Sequence, residues 1–174
     1  AVVMVLEEHS PPESRMLRWP GLAHLLCALV VAGLSVDSFI VRIVLLDLIA
    51  FTTLVVLCLA LPDHPPRLRD LFVTFRLGDG GVMLMALLLF GASGTFLIED
   101  ALEHASTLSA GEQIPVALSG FLAVWVKMGL PPFHAWVRRA AILRPSERIL
   151  VLGAGLPMLG TYLLSRMRPI IFGA

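Results

Sequence analysis

Residues 38–61 read SFIVRIVLLDLIAFTTLVVLCLAL, and this run constrains the chain more than any other feature. Its 24 residues carry two charges, Arg42 and Asp47. At about 1.5 Å per residue, some twenty apolar residues cross a hydrocarbon core roughly 30 Å thick. A run of this length and composition reads as a membrane span, not as the core of a soluble domain. Four further apolar blocks follow the same pattern, at 19–36, 71–97, 114–130 and 149–165. The blocks at 19–36, 114–130 and 149–165 are short and need tilt or neighbours to cross. The expected fold is an all-α integral membrane protein, a bundle of about five transmembrane helices, the fourth broken at Pro131-Pro132. Residues 1–16 read as a polar tail, 17–168 as the transmembrane domain and 169–174 as a second tail. The first fifteen residues have no basic stretch before their apolar start, so they are not expected to be a signal peptide. With no initiating Met, the very start of that tail need not be native.

Composition excludes several function classes. Hydrophobic residues make up 57% of the chain and charged residues 15%, where a soluble domain carries roughly 25% charged. The 13 basic and 13 acidic residues cancel, which gives a nucleic-acid partner no electrostatic support. Cys27 and Cys58 lie inside apolar blocks and read as small hydrophobes. His9, His24, His64, His104 and His134 lack metal-ligand spacing, and no nucleophile–base pair, phosphate loop or cofactor motif is present. The expectation is a chain without metal or cofactor, surrounded by lipid and by other membrane subunits.

The connections carry a charge pattern. Residues 62–70 form a proline-broken basic loop, and 131–148 carry four Arg. Residues 98–113 hold four acids and no Arg or Lys, with room for a short amphipathic helix at the interface. Basic loops favour the cytoplasmic side, and their alternation here puts the N-terminus inside, with Arg166 and Arg168 as the exception.

Ionisable side chains within apolar spans are costly and point to function. Asp47 lies near the middle of the second block. It reads either as a proton-carrying carboxyl or partner of a cation, or as a protonated or neighbour-bonded group serving assembly. Lys127 is the sole Lys beside twelve Arg, close to the end of the fourth block. Burial disfavours a charged ammonium, so a lysine can release its proton where an arginine cannot. The alternative is a side chain that snorkels to the interface. Pro131 and Pro132 cannot continue a helix, and breaks at membrane depth are tolerated where they line ion sites. His134 follows them, and an imidazole exchanges protons near neutrality. The alternative is a helix end at the interface, with Trp136 as an aromatic anchor and Arg138 and Arg139 as headgroup contacts. Arg76 and Asp79, three apart, are expected to pair locally. Gly80, Gly81, Gly153, Gly155 and Gly160 allow close helix packing, and Pro157 is expected to kink the fifth span. Arg42 is expected to reach the interface or to partner Asp47. Glu99, Asp100, Glu103 and His104 read as a solvated face.

The segment VWVKMGLPPFHAWVRRAAILRP, followed by LPMLGTYLLSR, resembles the proton-pumping antiporter-like family. That family includes large membrane subunits of respiratory complex I, Mrp-type antiporters, membrane-bound hydrogenases and inorganic-carbon uptake systems. Its Lys in a broken helix, seven residues before the His of a Pro-Φ-His-x-Trp motif, is matched by Lys127, Pro132, Phe133, His134 and Trp136. Pro145-Ser146, Gly160-Thr161-Tyr162 and the FRLGDGG of 75–81 resemble further family segments, so the likeness covers most of 38–168. The family's upstream Glu, which pairs with the Lys, is matched in position by Asp47. The resemblance departs at Val137-Arg138-Arg139, where Leu-Pro-Asp is usual, and at Met158, where a relay Lys or His is expected. Family members have about fourteen helices in two inverted halves, so these five spans resemble a truncated, divergent first half.

The resemblance implies an antiporter-like subunit of a multisubunit complex, NADH dehydrogenase-like, in the bacterial inner membrane. Asp47 and Lys127 would form its buried acid–base pair, with His134 leading toward the Arg-rich side. A non-conducting structural subunit is the second reading, and a small transporter working as a homodimer the third.

Overall fold

The computed structural model describes residues 12–60, 68–105 and 107–172. The described residues are helical nearly throughout. In chain order they are α1 (Pro12–Ser35), α2 (Phe39–Ala60), α3 (Leu68–Ser93), α4 (Ile98–Ala105), α5 (Ala110–Lys127), α6 (Ala135–Ala140), α7 (Pro145–Ile149), a π-helical turn (Leu150–Ala154), α8 (Leu156–Arg166) and α9 (Arg168–Phe172). Helices satisfy every backbone polar group within one segment, which a hydrocarbon solvent demands. By length and composition three described stretches can cross a membrane: Phe39–Ala60, Arg69–Ser93 and Pro145–Arg166. Pro20–Ser35 is apolar but shorter. The expected fourth span is α5, whose 18 residues include Glu112, Gln113 and Lys127.

Element ends follow local chemistry. The Glu112 carboxylate accepts both the Ser109 N–H (3.0 Å) and hydroxyl (2.6 Å), fixing the start of α5. Gly94, at φ +71°, closes α3 by donating to the Phe90 carbonyl at 2.8 Å. The turns before α2 and before α4 pair with each other, Phe39 N–H to Phe96 O at 2.9 Å and Ile98 N–H to Asp37 O at 3.1 Å. Arg42 is buried there. It donates to the carbonyls of Leu34 and Val36 at the end of α1, stacks over the Tyr162 ring at 5.0 Å, and does not meet Asp47.

The acidic stretch does form a short helix. In α4 the buried face is Ile98, Ala101, Leu102 and Ala105, and Glu99, Asp100, Glu103 and His104 are exposed. Glu99 reaches Arg166 of α8 at 3.2 Å. The segment read as an N-terminal tail lies outside the described residues over 1–11, and from Pro12 the backbone is already α1. Of the basic loop, 61–67 lie outside the described residues. The C-terminal stretch forms α9, and 173–174 lie outside the described residues. The fifth apolar block is interrupted before Pro157, which opens α8 after the π-helical turn and Gly155.

The most extensive packing is between α3 and α5. Val82, Met85, Leu89, Ala123 and Val126 are almost fully buried along it. Trp136 of α6 is fully buried, edge-on to Phe75 of α3 at 5.9 Å between ring centroids. Its indole N–H donates to the Val126 carbonyl at 3.2 Å, which ties α6 to the end of α5.

Candidate proton-relay site

The site forms because α5 stops at Lys127. Gly129 N–H donates to Val126 O (3.1 Å) and Leu130 N–H to Trp125 O (3.1 Å). With Gly129 at φ +66° this is the Schellman closure, which satisfies the last free carbonyls of a helix. Only glycine serves at 129. Beyond the positive φ, a Cβ would collide with Val137 Cγ2 and stand 3.2 Å from the Trp136 ring. The break therefore begins two residues upstream of Pro131-Pro132, whose peptide is cis. Lys127 occupies the last helical position, where the negative end of the helix dipole favours a cation.

The Lys127 ammonium is inside the protein, 2% exposed, and it meets Asp79 of α3, 5% exposed. The Nζ–Oδ1 distance is 2.6 Å. The expected pairing of Lys127 with Asp47 is thus corrected. Asp47 on α2 bonds Arg76 of α3 instead, Nη1 to Oδ2 at 2.6 Å. Arg76 also faces the second Asp79 oxygen at 3.9 Å, consistent with the expected local pairing. Four charges of alternating sign, Asp47, Arg76, Asp79 and Lys127, run across α2, α3 and α5.

Glycines make this approach possible. Gly78 and Gly81 flank Asp79 on the face of α3 that meets α5. A Cβ at Gly81 would lie 2.7 Å from the Ser119 carbonyl oxygen, and one at Gly78 would lie 2.9 Å from Val126 Cγ1. On the other side α8 closes in at Gly160, where a Cβ would stand 3.4 Å from Lys127 Cβ. Gly80, named beside Gly81 from sequence, has open space where its Cβ would be.

The two ends of the array differ. Asp47 and Arg76 are 37% and 39% exposed at the side chain. Around them on α2 and α3, Val44, Leu48, Phe51, Phe72, Val73 and Leu77 are exposed apolar side chains. The Arg76 guanidinium lies over the Phe72 ring at 5.1 Å. His134 is half-buried just before α6, and its Nδ1 is buried without a hydrogen-bond partner. It makes no hydrogen bond to Lys127 or Asp79. Asp79 Oδ2 is likewise buried without a hydrogen bond. Sequence reading placed Asp79 only beside Arg76. The signal for its larger role was GDGG itself, an acid bracketed by small residues on a span.

Fold and site together define an all-α membrane protein with an ion-pair array that is buried between its helices at the Asp79–Lys127 end. A family model described as NADH:quinone oxidoreductase/Mrp antiporter, transmembrane, matches residues 48–174. The chain belongs to this family of membrane subunits. The match takes in Arg76, Asp79, Lys127 and His134, and it begins one residue after Asp47. No curated protein matches the chain.

Proposed function

We propose that the chain is an antiporter-like subunit of a proton-translocating membrane assembly, working through Lys127 and the charge array behind it. The observation that carries this reading is the Lys127–Asp79 pair, 2.6 Å long and buried at a helix end. A buried ammonium held by one carboxylate gives up its proton more readily when that carboxylate is drawn elsewhere. Arg76 can draw it. It is shared between Asp47 at 2.6 Å and Asp79 at 3.9 Å, so a small swing moves positive charge toward Lys127. Asp47 then loses its cation. The array passes a change at Asp47 to Lys127 without any large motion. His134, with a free buried Nδ1, is our candidate for the next carrier toward the Arg-rich side. The bacterial inner membrane is the setting that the family resemblance supports.

The half-exposed Asp47–Arg76 pair supports a neighbouring subunit. Charges left facing hydrocarbon are costly, and a polar surface of another protein relieves that cost. The apolar side chains around the pair fit such a contact. A structural, non-conducting role is favoured by one observation. Residues 149–165 hold no Asp, Glu, Lys, Arg or His, and Met158 stands where a relay cation is expected.

Purification of the assembly in gentle detergent, followed by proton flux in vesicles, separates these readings. The chain should co-purify with stoichiometric membrane partners. Asp79→Asn should reduce flux by about two orders of magnitude or more, because it removes the carboxylate whose movement couples the array to the proton carrier Lys127. Undiminished flux with the variant chain incorporated would leave only the structural role. A chain that comes out alone would sink the subunit reading.

A further inference from the structure

The segment from α6 to α7 carries more positive charge than the proton site uses. Within Arg138–Arg148 lie Arg138, Arg139, Arg144 and Arg148, against one acid, Glu147. That acid is engaged elsewhere, accepting the Arg144 backbone N–H at 3.3 Å. Among the described residues no carboxylate stands within ion-pair distance of these four guanidinium groups. Arg148 donates to the Ala141 carbonyl at 3.1 Å, which ties α7 to the residue that follows α6. Arg138, Arg144 and Arg148 are exposed. Between and beside them stand Ile142, 61% exposed, and Ile149, 71% exposed.

The depth of this surface follows from the helix it precedes. Pro145–Arg166 is a 22-residue stretch long and apolar enough to span. At about 1.5 Å per residue a stretch of this length is close to the hydrocarbon thickness, so spanning would put its first turn at one membrane boundary. Arg144 and Arg148 bracket that turn. Lipid phosphates occupy this level, and the planar guanidinium binds phosphate through two parallel hydrogen bonds. Exposed isoleucines beside exposed cations suit the boundary between headgroup and acyl chain.

We propose that Arg138, Arg139, Arg144 and Arg148 form a binding surface for anionic phospholipid headgroups, with Ile142 and Ile149 seated in the acyl region. The full chain, purified in mild detergent, is titrated with phosphatidylglycerol or phosphatidylcholine, and bound lipid is read by native mass spectrometry. Phosphatidylglycerol should be preferred, and each Arg→Gln change should weaken that preference about fivefold. Arg166→Gln should leave it unchanged, because Glu99 already neutralises Arg166 at 3.2 Å. Equal retention of both lipids by the wild-type chain, or a preference that survives removal of all four arginines, overturns the proposal. If the fourfold variant does not fold, the wild-type preference still decides, since it must decline as salt rises. A salt-insensitive preference rules the arginines out. Loss of an acidic protein partner on substitution, with lipid retention intact, would assign the surface to protein instead.

Discussion

Lys127→Met is expected to destabilise the chain by about 3–5 kcal/mol, because it leaves a buried carboxylate without its cation. Asp79 is 5% exposed, and its Oδ1 has Lys127 as its one ion-pair partner at 2.6 Å. Arg76, at 3.9 Å from the other oxygen, can offset part of the loss only by leaving Asp47. Removing both charges reverses the outcome. Lys127→Met together with Asp79→Leu replaces an ion pair by apolar groups of similar volume, and such exchanges are often neutral or stabilising. Unfolding of the two variants in detergent should therefore differ by several kcal/mol, the double variant being the more stable. Proton flux should be absent in both. A double variant as unstable as the single one would mean that the pair has a structural role beyond charge cancellation.

The second large effect is steric. Gly81→Val should cost about 1–3 kcal/mol or more, because the new side chain meets backbone rather than a movable side chain. Its Cβ would lie 2.7 Å from the Ser119 carbonyl oxygen and 3.1 Å from the Ala123 nitrogen. Relief requires α3 and α5 to separate, which also pulls Asp79 from Lys127. Gly80→Ala is the matched control. Nothing stands within 4 Å of the Cβ position at Gly80, and alanine is the better helix former by about 1 kcal/mol. Denaturation midpoints should move in opposite directions for these adjacent positions. A Gly81→Val chain as stable as wild type would show that the α3–α5 contact is looser than described.

The helical class was legible because apolar runs of span length leave few alternatives. The short helix α4 was also legible, since Glu99, Asp100 and Glu103 alternate with an apolar face at helical spacing. The chemistry around Lys127 was half legible. A lone lysine in an apolar block signalled a site, but its partner is 48 residues away in the chain. Local spacing assigned Asp79 to Arg76, three residues before it, and position assigned Lys127 to Asp47. Which face of α3 meets α5 decides between these partners, and Gly78 and Gly81 determine that face. The end of α5 was placed at the prolines, whereas Gly129 sets it. A glycine two residues before a proline pair is a helix-stop signal that could have shown this. Arg42 was unreadable, because the carbonyls it caps and the Tyr162 ring beneath it come together only in the folded chain.

Lys127→Arg tests the central claim most directly. Arginine keeps the positive charge and can hold Asp79, so a purely structural role predicts normal assembly and normal function. It cannot release its proton in a protein, so a proton-carrying role predicts that flux fails while assembly survives. The measurement is proton flux in vesicles containing the intact assembly, normalised to the amount of incorporated chain. Our account predicts background flux with normal incorporation. Wild-type flux from the Lys127→Arg assembly would contradict it.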